Sequence, residues 1–317
     1  MTSPLRFDGQ VAVVTGAGRG VGRAHAHALA ERGARVVVND LGGSVAGTGS
    51  DPGTAAAVAR EIVHRGGEAI ANDADVARED GAASIIADAL DAWGQVDVVV
   101  NNAGNLDPGA LPELTTASVE RHLDIHVLGS FNVTRAAWPH MTARGYGRVI
   151  VTTSIGMFGG GYLLAYATAK GASVSLGRSL ALAGAEHGIL VNMLAPAAET
   201  RMVTDPGFRE RAGLPPLPAD RAPDPSRGAE HVTPMLLVLA HRSCPCTGET
   251  LGAGLGRFAR IFWAETPGIV APGIGPEELL ARWDEVNDAG TYGVPASSAD
   301  SVGFREALID AQREEVR

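Results

Sequence analysis

The chain has 317 residues, 45% of them hydrophobic and 20% charged, with a formal net charge of −10. That is enough to bury a large core, as one big domain or two small ones. The acidic balance argues against nucleic acid or an anionic membrane surface as a main partner, and no apolar run approaches the ~20 residues that span a bilayer.

Met1 to Gly9 carries no charged-then-apolar signal pattern, and the first strand is expected at once, over Gln10–Thr15. Further strands are expected at Arg35–Asn39, Asp97–Asn101, Arg148–Thr153 and Ile189–Leu194, with a weaker one at Glu68–Ala71 and a short last one near Glu249–Leu251. The strong ones are nearly continuous apolar runs, which suits parallel strands covered on both faces. Between them Val21–Arg32, Thr54–Arg65, Glu79–Trp93, Ser118–Ala143, Leu163–His187 and Gly228–Ala240 have helical composition and length. Gly33, Gly66-Gly67 and Gly188 follow helix ends, where a left-handed residue is wanted. Such alternation makes an α/β protein with an open, doubly wound parallel sheet of about seven strands.

Two stretches interrupt the alternation. Leu41–Gly53, rich in glycine, reads as a loop inserted after the second strand, and Pro206–Pro225, rich in proline, as a mobile flap within about residues 200–227. Cys244 and Cys246 are too close for an unstrained disulfide and too few for a metal site, so they are expected as reduced thiols in a cytoplasmic protein. The main domain is expected to end near residue 255. Residues 256–317 then form an extension, with helices at Pro276–Asn287 and Val302–Glu315, that packs on the core or on a neighbouring subunit. The last residues, Glu315-Val316-Arg317, are not a peroxisomal tripeptide.

The first strand runs into Thr15-Gly16-Ala17-Gly18-Arg19-Gly20-Val21-Gly22. A strict GxGxxG fingerprint fails here, but Gly16-x-x-x-Gly20-x-Gly22 serves the same physics. Glycines let the backbone turn tightly and approach a pyrophosphate at the amino end of the next helix. Asp40, about 20 residues on, stands where a carboxylate accepts bonds from the adenine ribose, which favours NAD over NADP. Arg19 pulls the other way, since a guanidinium suits a 2′-phosphate. Asp40 weighs more because it occupies the ribose position; its bland alternative is a cap on the Leu41–Gly53 loop.

Tyr166 and Lys170 stand four residues apart on the fifth helical stretch, hence on one face. A free phenol, pKa ~10, is a poor base. A neighbouring ammonium is expected to lower that value and make Tyr166 a proton carrier. Alone, such a couple is usually an ordinary surface pair.

Taken together these motifs resemble the short-chain dehydrogenase/reductase family: Thr15–Gly22 its TGxxxGxG turn, Asn101-Asn102-Ala103-Gly104 its NNAG segment, Tyr166/Lys170 its YxxxK pair, and Ser154 after the fifth strand its serine. The resemblance covers Met1 to about Gly252. It implies a Rossmann-like fold and interconversion of a secondary alcohol and a ketone with a nicotinamide cofactor. Tyr166 would be the acid/base, Ser154 would bind the substrate oxygen, and Lys170 would hold the nicotinamide ribose. Asp75-Val76 would contact adenine, and Pro196 to Thr200 would flank the nicotinamide. Three positions depart from the pattern. His126 stands where the family has a water-holding asparagine, Ala197 replaces a common glycine, and Ser154 lies one residue closer to Tyr166 than usual, which makes Thr153 a rival.

The run Val36–Gly43 with its glycine-rich insertion, His126-x-x-Gly129-Ser130-Phe131 and Thr134–Trp138 are similar to the (3R)-hydroxyacyl-CoA dehydrogenase part of peroxisomal multifunctional enzyme type 2 and its bacterial relatives. That similarity implies a bulky apolar substrate, a hydroxyacyl-CoA or a steroid, handled by a stand-alone enzyme; small or cyclic alcohols are the alternative. It also implies a homodimer or homotetramer paired through the two long helices.

Overall fold

The computed structural model describes residues 4–218, 221–222 and 224–315. It divides into two compact units, Met1–Arg260 and Ile261–Arg317.

In the first unit the strands are β1 (Val11–Thr15), β2 (Arg35–Asn39), β3 (Glu68–Asn72), β4 (Val98–Asn101), β5 (Gly147–Thr152), β6 (Ile189–Ala197), β7 (Thr250–Gly254) and β8 (Arg257–Ile261). They form one sheet in the order β3-β2-β1-β4-β5-β6-β7-β8. Every pairing from β3 to β7 is parallel. The eighth strand corrects the expectation of about seven. Leu255 and Gly256 have φ of 52° and 71°, a two-residue turn that only an antiparallel neighbour can follow. The strand Arg-Phe-Ala-Arg-Ile is mostly exposed, so no apolar run announced it.

Side chains alternate between the two faces of each strand. Ala12, Val14, Val36, Val38, Val98 and Val100 pack under α1 (Gly20–Glu31), α2 (Gly53–His64) and α9 (Thr233–Ala240). Their neighbours Val11, Val13, Val37 and Val99 pack under α3 (Glu79–Trp93), α5 (Gly129–Arg144) and α6 (Leu164–Gly184). The long fourth helical stretch is in fact α4 (Thr116–Leu123), a π-turn over Asp124–Leu128, and α5. Two short helices, α7 (Arg201–Thr204) and α8 (Pro206–Arg211), occupy the start of the region expected as a flap.

The second unit holds α10 (Pro276–Ala281), α11 (Trp283–Val286) and α12 (Ser298–Glu315). Glu265 organises it, pairing by its backbone with Gly293 and accepting from Ser301 Oγ at 2.7 Å and Arg305 Nε at 2.5 Å.

His25 on α1 is fully buried, and neither ring nitrogen has a partner among the described residues. Burial pushes its pKa down to about 3. Above the unfolded value of ~6.5 both states are neutral and stability is complete. As pH falls toward 3 only the unfolded chain takes up the proton, so stability declines. Between pH 7 and pH 5 this one group costs about 2 kcal/mol. Urea unfolding at the two pH values should show His25→Leu losing less stability than the wild type by that amount. Equal losses would contradict the assignment.

Candidate active site

A cavity of about 380 Å³ opens at the carboxyl ends of the central strands, where open α/β sheets bind ligands. Gly16, Arg19, Gly20, Val21 and Gly22 line it after β1, Asp40 after β2, and Asp75 and Val76 after β3. Asn102, Ala103 and Gly104 follow from β4, Ser154 from β5, and Pro196 and Thr200 from the end of β6. His126, Tyr166 and Lys170 reach it from the helices. Every residue expected to act in catalysis or to hold the cofactor therefore lines one space.

The glycine turn is shaped for close approach. A Cβ on Gly22 would meet Gly16 O at 2.2 Å, and one on Gly16 would meet Ala103 Cα at 2.7 Å. Asn102 Nδ2 donates to Thr15 O (3.0 Å) and Gly16 O (3.1 Å), tying the turn to β4. α1 has no side-chain cap and no acidic residue in its first turn, so its unpaired N–H groups remain for an anion. Asp40 does two things at once. Its carboxylate lines the cavity, and it also accepts from Gly18 N (2.8 Å) and Gly42 N (2.7 Å), so the capping role is real as well.

Around Tyr166 the geometry sorts the hydroxyls. Ser154 Oγ accepts from Gly156 N at 3.0 Å and is hydrogen bonded to Tyr166. Thr153 Oγ1 instead donates to Lys170 O at 2.8 Å, so its hydroxyl serves the framework and Ser154 is the one beside the phenol. Lys170 is buried and donates from Nζ to Thr152 O at 2.6 Å, with the ammonium 5.7 Å from the centre of the Tyr166 ring. This corrects the expected electrostatics. Burial pushes the Tyr166 phenol up, the Ser154 bond pulls it partly back, and burial pushes Lys170 down to about 7. Desolvation disfavours the charged form of each.

His126 lies in the π-turn, where Gly129 N reaches back to Asp124 O. The turn aims the ring into the site, edge-on to Tyr166 with ring centres 5.5 Å apart. Nε2 lies 2.9 Å from Asn105 O and 3.2 Å from Asn105 N, and the buried Nδ1 has no partner among the described residues. Burial, and then the charge of Lys170, hold His126 well below the usual imidazole range. It is a neutral ring with one unpartnered nitrogen. His122, one turn earlier, stacks on it at 6.0 Å and is itself 6.4 Å from the Tyr166 ring.

The family model described as short chain dehydrogenase matches residues 10–207. The chain belongs to the short-chain dehydrogenase family. It is 40% identical over 300 residues to a short-chain type dehydrogenase/reductase of Mycobacterium tuberculosis, covering 93% of this chain and 98% of that one. It is 37% identical over 308 residues to peroxisomal multifunctional enzyme type 2 of Mus musculus, covering 96% of this chain but 40% of that protein. A solved 7α-hydroxysteroid dehydrogenase, complexed with NADH and 7-oxo glycochenodeoxycholic acid, aligns with a TM-score of 0.69 at 28% identity, covering 81% of this chain and 98% of that one. Family membership makes the protein a nicotinamide-dependent oxidoreductase, and the glycine cradle and uncapped α1 described above fit that cofactor.

The roof of this dehydrogenase's site was not legible beforehand. Val45, from the Leu41–Gly53 insertion, packs with Leu106 and with Phe208 of α8, and Leu163, Tyr166 and Met202 lie against them. Leu41, Gly43, Ser44 and Gly47 line the cavity too, as do Ile155, Arg201 and Val203. One faint signal existed: Val45 is an apolar residue amid glycines, and Phe208 is the lone aromatic of the expected flap.

Proposed function

We propose that the protein is an NAD-dependent dehydrogenase of a secondary alcohol carried on a bulky apolar body, a hydroxyacyl-CoA or a steroid-like molecule. The observation that carries this reading is the shared cavity. It places Ser154 and Tyr166 with the glycine turn and Asp40, and walls the catalytic end with Leu106, Ile155, Met202 and Val203. The solved hydroxysteroid dehydrogenase, which holds 7-oxo glycochenodeoxycholic acid, supports the bulky substrate.

The nicotinamide, when bound, supplies hydride acceptance. Ser154 donates to the substrate oxygen and holds it against Tyr166, which gives up its own proton and, as the phenolate, takes the alcohol proton while the carbonyl forms. Lys170, titrating near 7, is the group closest to neutrality that can pass this proton on. Its Nζ is fixed by Thr152 O. The unpartnered Nδ1 of His126 bonds a water in that route, in place of the family's asparagine.

The substrate assignment is tested by comparing kcat/KM for long-chain 3-hydroxyacyl-CoA esters and hydroxysteroids with that for cyclohexanol and short-chain alcohols. Each buried methylene contributes about 1–3 kcal/mol to discrimination, so the bulky compounds should lead by more than about 100-fold. A preference for the small alcohols would transfer the assignment to that class.

A further inference from the structure

We infer that His122 is a positioning residue for the proton-transfer step: its ring, locked in one tautomer by two backbone groups, holds both His126 and the Tyr166 ring in place. The inference rests on alcohol oxidation through Tyr166 and not on which alcohol is oxidised.

His122 belongs to α4, which packs on α6, the helix that carries Tyr166. Its side chain is fully buried, and it is not among the residues that line the cavity. A buried imidazole is costly unless its nitrogens find partners. Here both do. Nδ1 lies 2.7 Å from Ser118 O, which can only accept, so Nδ1 carries the hydrogen. Nε2 is then bare and accepts from Asp107 N at 3.3 Å. Two separate bonds demand the same neutral tautomer. Burial holds the ring below the usual imidazole range as well.

The locked ring works in two directions. It lies nearly parallel to His126, at 14° with centres 6.0 Å apart, and crosses Tyr166 at 80° with centres 6.4 Å apart. His126 meets Tyr166 edge-on at 83°, so the three rings form one packed group. His126 is tethered through one nitrogen only, Nε2 beside Asn105, and its Nδ1 is unpartnered. Packing must therefore fix its plane. Gly104 comes so close that a Cβ there would stand 2.4 Å from His126 Cε1, and His122 supplies the stacked face. The same ring ties this group to the roof. Asp107, its Nε2 partner, follows Leu106 of the roof and meets Arg211 of α8 at 3.2 Å through its carboxylate. A leucine at 122 would fill much of the volume but give Asp107 N no acceptor and His126 no flat face.

The test uses the full chain and the variants His122→Leu, His122→Gln and His122→Phe. Rates are read with NAD and whichever of a long-chain 3-hydroxyacyl-CoA and cyclohexanol the wild type oxidises faster, so a wrong substrate class changes only the reference compound. His122→Leu is expected to lower kcat by about 10- to 100-fold, the scale of a misplaced reacting group. The KM for the alcohol and the affinity for NADH should stay within about threefold. His122→Gln, whose amide oxygen can accept from Asp107 N, and His122→Phe, which keeps a flat ring, should each fall between the leucine variant and wild type. In a His126→Ala background His122→Leu should cost less than in the wild type, because one ring that it supports is gone. Nitrogen NMR of the isotope-labelled histidine rings gives a readout free of turnover. The His122 signal, assigned by its loss in His122→Gln, should be that of a neutral ring with its hydrogen on Nδ1 at pH 7. Wild-type kcat in all three variants, a loss shared equally by NADH affinity, an undiminished cost in the His126→Ala background, or a hydrogen on Nε2 of His122 overturns the inference.

Discussion

Tyr166→Phe is expected to lower kcat by about 10²- to 10⁴-fold, the range of a positioned acid/base, with NADH affinity nearly unchanged. The substitution removes only the phenolic oxygen. The ring keeps its edge-on contacts with His126 and His122 at 5.5 and 6.4 Å and its place beside Leu163 and Phe208. Lys170 keeps its bond to Thr152 O. What disappears is the bond with Ser154 and the one group that can take the alcohol proton. Because the interaction is made in the transition state, the loss should appear equally in kcat and kcat/KM. Initial rates with a fluorescence titration of NADH check both halves. A variant within tenfold of wild-type kcat would remove Tyr166 from the proton-transfer role.

Asp40→Ala is expected to weaken NADH binding by about 100-fold and to leave NADPH favoured. Two effects combine. The carboxylate would accept from the ribose hydroxyls and would repel a 2′-phosphate. It also anchors Gly18 N and Gly42 N, at 2.8 and 2.7 Å, so the glycine turn loses its support when the side chain is truncated. Hydrogen bonds to a charged group contribute about 1.5–3 kcal/mol each, and 1.4 kcal/mol is tenfold in affinity. Arg19, already beside this position, then faces a 2′-phosphate without a competing carboxylate. Titrations of both reduced cofactors decide the matter: unchanged NADH affinity would mean that Asp40 only shapes the loop.

Much of the fold is written locally. Val11–Thr15, Arg35–Asn39 and Val98–Asn101 are buried on both faces and so read as apolar runs. β8 escaped notice because its exposed side chains include two arginines and follow a two-residue turn. The π-turn at His126 leaves no mark in composition, since the same residues would serve an ordinary helix; only the odd imidazole hinted at it. At the site, motif spacing named the residues but not their surroundings. The i, i+4 spacing of Tyr166 and Lys170 says that they share a face, not that both are desolvated or that the ammonium turns to Thr152 O. The roof depends on Val45, Leu106 and Phe208 meeting across some 160 residues of sequence, and such long-range contacts have no local signature.

In the proposed function one cavity joins hydride transfer to proton transfer at Tyr166. The most direct measurement supplies NAD and a secondary alcohol, a long-chain 3-hydroxyacyl-CoA deuterated at the carbinol carbon, to wild type and Tyr166→Phe. Reduced nicotinamide carrying that deuterium should form rapidly with wild type and be nearly absent with the variant. No reduced nicotinamide with wild type, reduction without deuterium transfer, or an equal rate in Tyr166→Phe would contradict the account.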